Sequence, residues 1–477
     1  MIRTACGLFV VTSILACLSQ SGLTREPDSA PWPDGWTAKS QREEIRPAFR
    51  YEPAAGPGGK GLFILSTDAE AGQHGWVQKT FPVTGGKTYE ITVQRRTEQV
   101  DSPRRSTPVR IVWHDDSGKQ VQTMPRAEGE LPGRPIPSAE PEHPLDGPTD
   151  AHGWTTISAK YPAPPKATRA VVELHLQWAP AARVSWTEAT WTESEPVPAR
   201  KVRLSTIHFP PTARTPEGNR EQFAPLIAEA ARKKADLVVL GETVTYVGVG
   251  KKPHEVAESI PGPSSEYFGS LAKQHRLHLV VSLYERDGRA VYNAAVLLGP
   301  EGQLIGKYRK VCLPHAEIES GVTPGNDYPV FKTAIGKIGM MVCYDGFFPE
   351  VARDLTKRGA EVIAWPVWGC DPLLAQARAN ENRVHIVSST YMAPNSNWML
   401  SAVYDRDGRP LAVAQRSGDV VVHEVDLNEH RVGPYNLGAF HDMVQRHRPV
   451  PVPETAPPAS ASVSSSSGPA DQLRKTK

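Results

Sequence analysis

The chain has 477 residues, 39% hydrophobic and 22% charged, which excludes a single small module and predicts two domains with tails or three domains. Its 54 basic and 52 acidic side chains nearly cancel, so no field of one sign gathers nucleic acid or an anionic membrane. Five cysteines, at 6, 17, 312, 343 and 370, are too few and too scattered for a disulfide framework or a CxxC zinc site, and no metal or cofactor is expected.

Met1 to Leu18 carries one early cation, Arg3, and then an apolar run from Ala5, the length of a signal-peptide core and short for a membrane span. Residues 1–25 therefore read as a secretory signal, which places the mature protein outside the cytoplasm, whether secreted, periplasmic or lipid-anchored. Ile14-Leu15-Ala16-Cys17 also resembles a bacterial lipoprotein box, in which Cys17 would become the lipidated terminus; ordinary cleavage is the alternative. Residues 26–60, rich in Pro, Gly and charge, read as a lead-in linker.

From 61 to 195 the pattern has period two. Tyr89, Ile91 and Val93, then Val109, Ile111 and Trp113, then Val172, Leu174, Leu176 and Trp178, then Val184 and Trp186 alternate with polar neighbours. Thr84-Gly85-Gly86-Lys87 and Asp115-Asp116-Ser117-Gly118 are turns between them, and a loop rich in Pro, Gly and acid interrupts the series at 114–152. An all-β sandwich of jelly-roll type fits best. Eight of the eleven tryptophans precede residue 195. Alternating in strands, they fill a sandwich core; exposed ones could stack on sugar rings, and the region weakly resembles a carbohydrate-binding, galactose-binding-like module.

After Ser194-Glu195-Pro196-Val197-Pro198 the period changes, and strands alternate with helices in a layered α/β domain over 200–445. Strands are expected at 202–209, 235–240, 278–284, 290–298, 335–344, 361–366 and 384–391, and near 401–414 and 419–426. Helices are expected at 222–234, 264–277, 348–359 and 372–383. Residues 446–477 lack the apolar side chains to bury anything and read as a disordered tail.

Three strand ends carry chemistry. Cys343 closes Ile338-Gly339-Met340-Met341-Val342-Cys343 just before a helix, an elbow that exposes a nucleophile beside unpaired backbone N–H groups. Glu242 ends the buried run from Asp236, and Lys310 ends Gly306-Lys307-Tyr308-Arg309-Lys310. In an α/β fold such ends converge on one edge. Singly, a buried cysteine, a capping carboxylate and a surface lysine explain them; together they make a base, an electrostatic stabiliser and a nucleophile.

These residues resemble the nitrilase, or carbon-nitrogen hydrolase, superfamily over 200–430. Asp236 to Glu242 is similar to the family's glutamate segment, Lys307 to Lys310 to its lysine segment, and Gly339 to Glu350 to its nucleophile segment. Arg378 to Arg383 with the strand after it, and Thr323-Pro324-Gly325, resemble two further signatures. The motifs stand in order, 68 and 33 residues apart. The resemblance implies a four-layer αββα sandwich, a homo-oligomer, and a Glu-Lys-Cys triad that hydrolyses a non-peptide carbon-nitrogen bond through a cysteine thioester. Glu242 would take the thiol proton, Cys343 attack the carbonyl, and Lys310 with the backbone N–H of Tyr344 hold the oxyanion. A second glutamate is implied after the lysine: Glu317 by its spacing, with Glu319 the other candidate.

Two positions depart from the family pattern: Gly241 stands where proline is usual and Cys312 where histidine is common. Cys343-Tyr344-Asp345 is similar to the amidase and carbamoylase branches, so a linear amide or N-carbamoyl compound is the expected small-molecule substrate. Nitrile hydrolysis or acyl transfer by the same site is the alternative, and a non-catalytic glycan-binding surface protein is the rival from another class. His315, His385 and Cys370 are expected to pack or to face solvent.

Overall fold

The computed structural model describes residues 32–121, 141–393, 395–429 and Arg446. The signal segment, residues 122–140 of the loop at 114–152 and the tail beyond Arg446 fall outside these residues; Arg446 itself, the first residue of the expected tail, is helical and buried.

The N-terminal part consists of two antiparallel sheets around one core. The smaller runs in the order Trp36–Lys39, His74–Pro82, Arg169–Gln177, Val109–His114. The larger runs Ala48–Glu52, Leu62–Ser66, Arg183–Thr187, Thr88–Glu98, Thr155–Pro162, Asp146–Thr149, with Thr190–Ser194 also paired to Thr88–Glu98. Alternation works as the sequence implies: Tyr89, Ile91, Val93, Val109, Ile111, Trp113, Val172, Leu174, Leu176, Val184 and Trp186 all turn into the shared core. Gly86 and Gly118 take positive φ in the two turns.

Two features differ from the sequence reading. The stretch at 26–60 is not only a lead-in, because it supplies a strand to each sheet, and Trp36 and Phe49 join the core. Their short apolar runs are masked by Pro and charge on either side. Trp178 leaves the alternation: the strand stops at Gln177, and Trp178 adopts φ +56° with half its surface exposed.

The C-terminal part is α/β with two mixed six-stranded sheets. The first runs Leu304–Arg309, Ala290–Leu298, His278–Asp287, Leu237–Val239, Lys201–His208, Asp419–Asp426. The second runs Val330–Thr333, Gly336–Met340, Val362–Pro366, His385–Ser389, Ala402–Tyr404, Pro410–Val413. In each, three strands are parallel and the flanking ones antiparallel. Leu204, Val239 and Val280 from the first sheet meet Met340, Ala364 and Val387 from the second in one core. Hydrogen bonds also join the sheets, from Thr206 Oγ1 to the Ser388 carbonyl and from Ser389 Oγ to the Ile207 carbonyl, both 2.7 Å.

Helices Ala224–Arg232 and Pro263–His275 cover the first sheet through Ile227 and Phe268, and Pro349–Lys357 and Leu374–Asn382 pack on the second. The helix expected at 222–234 is Ala224–Arg232, and a further short helix, Pro216–Glu221, precedes it, capped by Thr215, which accepts from Gly218 N at 3.1 Å. The strand expected near 401–414 is two, split where Gly408 N returns to the Asp405 carbonyl at 3.0 Å with φ +79°. The edge strands Leu304–Arg309 and Val330–Thr333 are additions, their pattern too weakly apolar to be read locally.

Candidate active site

Three strand ends and one short helix deliver the site. Leu237–Val239 runs on to Glu242, Leu304–Arg309 to Lys310, and Gly336–Met340 to Cys343, while Glu317 comes from the short helix His315–Glu319. Glu242, Lys310 and Cys343 are buried, and Lys310 is only 1% exposed.

The Lys310 ammonium lies 2.9 Å from Glu242 Oε1 and 2.8 Å from Glu317 Oε2. Asn293, buried in the strand Ala290–Leu298, donates its amide to both carboxylates, at 2.7 Å each. Ser282 Oγ donates to Asn293 Oδ1 at 3.1 Å and accepts from Thr243 N at 3.0 Å, which orients the amide. The second oxygen of Glu242 accepts from Trp368 N at 2.9 Å. Lys310 is also held through its backbone, by the Asn293 carbonyl and by Gly325 N, each 2.8 Å.

Glu319 points elsewhere, to His315 at 3.1 Å, and both are exposed. Glu317 is therefore the glutamate that meets the lysine. Gly241 has a spatial reason, since a Cβ there would stand 2.9 Å from Tyr391 Cδ1.

Cys343 opens a 3₁₀ turn, Cys343–Phe347, with φ +41°, a strained value for a non-glycine residue. The turn is clamped from three sides. Trp365 Nε1 donates to the Cys343 carbonyl at 3.2 Å, Arg378 Nε donates to the Gly346 carbonyl at 3.0 Å, and the Asp345 carboxylate accepts from Val342 N at 2.8 Å. The Cys343 thiol reaches the Gly369 carbonyl at 3.5 Å. Tyr344 follows in the turn, its ring against Phe347 and Phe348.

Burial, reinforced by Glu242 and opposed by Lys310, holds the Cys343 thiol well above the usual thiol range. Burial pulls Lys310 down, but Glu242, Cys343 and Glu317 outweigh it and raise its pKa. Burial and then Glu242 raise Glu317, against the pull of Lys310. The resting arrangement is thus a neutral thiol beside an ammonium clasped by acidic groups. Cys312 and Cys370 are each pushed up to about 12, chiefly by burial, and neither carries the strained backbone of Cys343. His315 is exposed and His385 buried. Among the described residues no group of three or more His, Cys, Asp or Glu side chains is arranged to hold a metal ion, and no helix is long and apolar enough to cross a membrane.

Sequence reasoning did not identify Asn293, Trp365, Trp368 or the roles of Asp345 and Arg378. Asn293 had a signal, a lone amide inside the apolar run Ala290–Leu298, where a buried polar group must find partners. Trp368 had none, because it acts through its backbone.

An α/β fold thus gathers a cysteine, a lysine and a glutamate at its strand ends, with a second glutamate from a short helix, and comparison with known proteins gives the class. Residues 203–435 match the family model described as Carbon-nitrogen hydrolase. The chain is 36% identical over 196 residues to a "Nitrilase" of Pyrococcus abyssi, covering 39% of this chain and 74% of that one. It is 30% identical over 250 residues to "Omega-amidase NIT2" of Xenopus tropicalis, covering 48% and 89%, and 28% identical over 246 residues to a "Citrullinase" of Francisella tularensis, covering 45% and 86%. The chain belongs to the carbon-nitrogen hydrolase family and is a hydrolase.

Proposed function

We propose that the protein hydrolyses a linear amide or N-carbamoyl compound through an acyl-Cys343 intermediate, with Glu242, Lys310 and Cys343 as a triad. The observation that carries this reading is the Lys310 ammonium, buried between Glu242 and Glu317 beside a strained cysteine turn. Glu242 takes the thiol proton as sulfur attacks the carbonyl carbon. Lys310, with the N–H of Tyr344, stabilises the oxyanion. The C–N bond then breaks, the amine leaves with the proton from Glu242, and a thioester remains. Water adds next, giving its proton to Glu242, and the acid departs as the thiol is restored.

Relatives named for an omega-amide and for citrulline favour an amide or ureido carbonyl; the relative named nitrilase keeps nitriles as the alternative. The two C-terminal sheets and their covering helices support a four-layer αββα arrangement, and the N-terminal sheets a jelly-roll-type accessory domain, carried outside the cytoplasm by the apolar run at 5–18. If that domain takes a sugar, Trp178 is the half-exposed ring on which it would stack.

The test is mass spectrometry of the intact protein during turnover of a panel of small amides, ureido compounds and nitriles. An adduct of the acyl mass on Cys343 is expected. Glu242→Gln and Lys310→Ala should each lower kcat by roughly a hundredfold or more. Full activity of Cys343→Ala refutes the reading, and hydroxylamine separates acyl transfer from hydrolysis by product.

A further inference from the structure

We infer that Asp345 is a positioning residue that locks the nucleophile's turn to the lysine's loop, and that the rate of acylation depends on it. The inference rests on the triad proposed above. The Asp345 carboxylate, wholly buried, accepts four hydrogen bonds. Oδ2 takes Tyr308 OH and Val342 N, both at 2.8 Å, and Oδ1 takes Cys312 N at 2.8 Å and Val311 N at 3.2 Å.

The positions of these donors give the carboxylate its role. Val342 directly precedes the nucleophile. Tyr308 precedes Lys310 by two residues, and Val311 and Cys312 directly follow it. One side chain therefore spans two segments of different sheets, each ending in a reactive group, and fixes how far apart those groups stand.

A carboxylate suits this place because it only accepts, and every group facing it donates. Burial pushes its carboxyl up to about 6 against the pull of these donors, so at neutral pH the ionised, four-fold acceptor predominates. An amide of the same shape keeps one acceptor oxygen and turns an NH2 toward two donors. Asp345 makes none of its bonds to Cys343 or Lys310 side chains, so its loss acts on the geometry of the step and not on the reacting atoms.

The test is steady-state and first-turnover kinetics of the full chain on a turned-over amide, with thermal melting in parallel. Asp345→Asn should lower kcat and the acylation rate about 100-fold, the cost of a displacement near 1 Å, with KM within about threefold of wild type. Tyr308→Phe, which removes one donor and keeps the ring, should lower kcat by about three- to tenfold without a comparable change in KM. A folded Asp345→Asn with wild-type kcat, or with the loss confined to KM, overturns the inference. If Asp345→Asn does not fold, Tyr308→Phe decides: a lowered kcat at unchanged KM supports the lock, and wild-type kcat overturns it. Activity surviving in Cys343→Ala overturns the triad and this inference with it, whereas a dead Cys343→Ala beside a fully active Asp345→Asn overturns this inference alone.

Discussion

Asn293 donates from one amide nitrogen to Glu242 at 2.7 Å and, at the same distance, to Glu317, so the two carboxylates that clasp one lysine are also bridged by one amide. Like charges this close would otherwise repel. The amide and the ammonium together let both serve as acceptors. Asn293→Asp places a third acid against them and should lower kcat/KM by about 100-fold, while Asn293→Ala leaves two buried oxygens short of a donor and costs activity to a smaller degree. Steady-state kinetics on both variants checks the order.

The neighbours of Cys343 act on its thiol in opposite senses, and alkylation rates separate them. Glu242 raises the thiol pKa and Lys310 lowers it. At neutral pH Glu242→Gln should therefore react faster with iodoacetamide than wild type although its turnover is lost, and Lys310→Ala should react more slowly. Peptide mapping should place the label on Cys343, with Cys312→Ser and Cys370→Ser near wild type in both labelling and turnover. Faster labelling of Lys310→Ala would contradict the electrostatic assignment.

The N-terminal sheets hold a chain of titratable groups: His74 Nε2 lies 3.1 Å from His175 Nδ1, and His175 Nε2 lies 2.9 Å from Glu173 Oε2. Burial, helped by Arg110, lowers His74 from 6.5 to about 4. The unfolded chain therefore binds the proton more readily, and the stability tied to neutral His74 is lost as pH falls from 6.5 to about 4. Burial raises Glu173 to about 7, which works in the opposite sense over an overlapping window. The informative measurement is the difference in melting temperature between wild type and His74→Gln, which should shrink or reverse on acidification from pH 7 to pH 4.

Two glycines near the site are required by close approach. A Cβ at Gly346 would fall 1.9 Å from Trp365 Cζ2, inside the ring that donates to the Cys343 carbonyl, and one at Gly241 would fall 2.9 Å from the Tyr391 ring. Gly346→Ala should cost about 3 kcal/mol or more and displace the turn, whereas Gly241→Ala, facing a ring edge that can give slightly, should cost about 1–3 kcal/mol. Urea midpoints at constant slope measure both, and equal costs would contradict the difference in room.

Much of this protein was legible locally. Burying one face of a sheet imposes period two, so Tyr89, Ile91 and Val93 or Val172, Leu174 and Leu176 announce their strands without reference to anything distant. Glu242 and Cys343 stood out for a similar reason, each closing an apolar run at a strand end, where ligands usually bind in such a fold, whereas Lys310 ends a basic stretch that no local pattern marks. What the tertiary structure alone decided is the company these residues keep. That Glu317 and not Glu319 meets the lysine depends on how one short helix lies on the site, since the two stand only two residues apart. Asn293, Asp345 and the Trp368 backbone join the site from separate segments, and the reason for Gly241 is a tyrosine at 391. The short strands at Trp36–Lys39 and Leu304–Arg309 form because neighbouring strands offer them an edge and a core to cover, not because their own pattern demands it. A local pattern records which side chains must leave water; which partners they meet is settled only when distant segments pack.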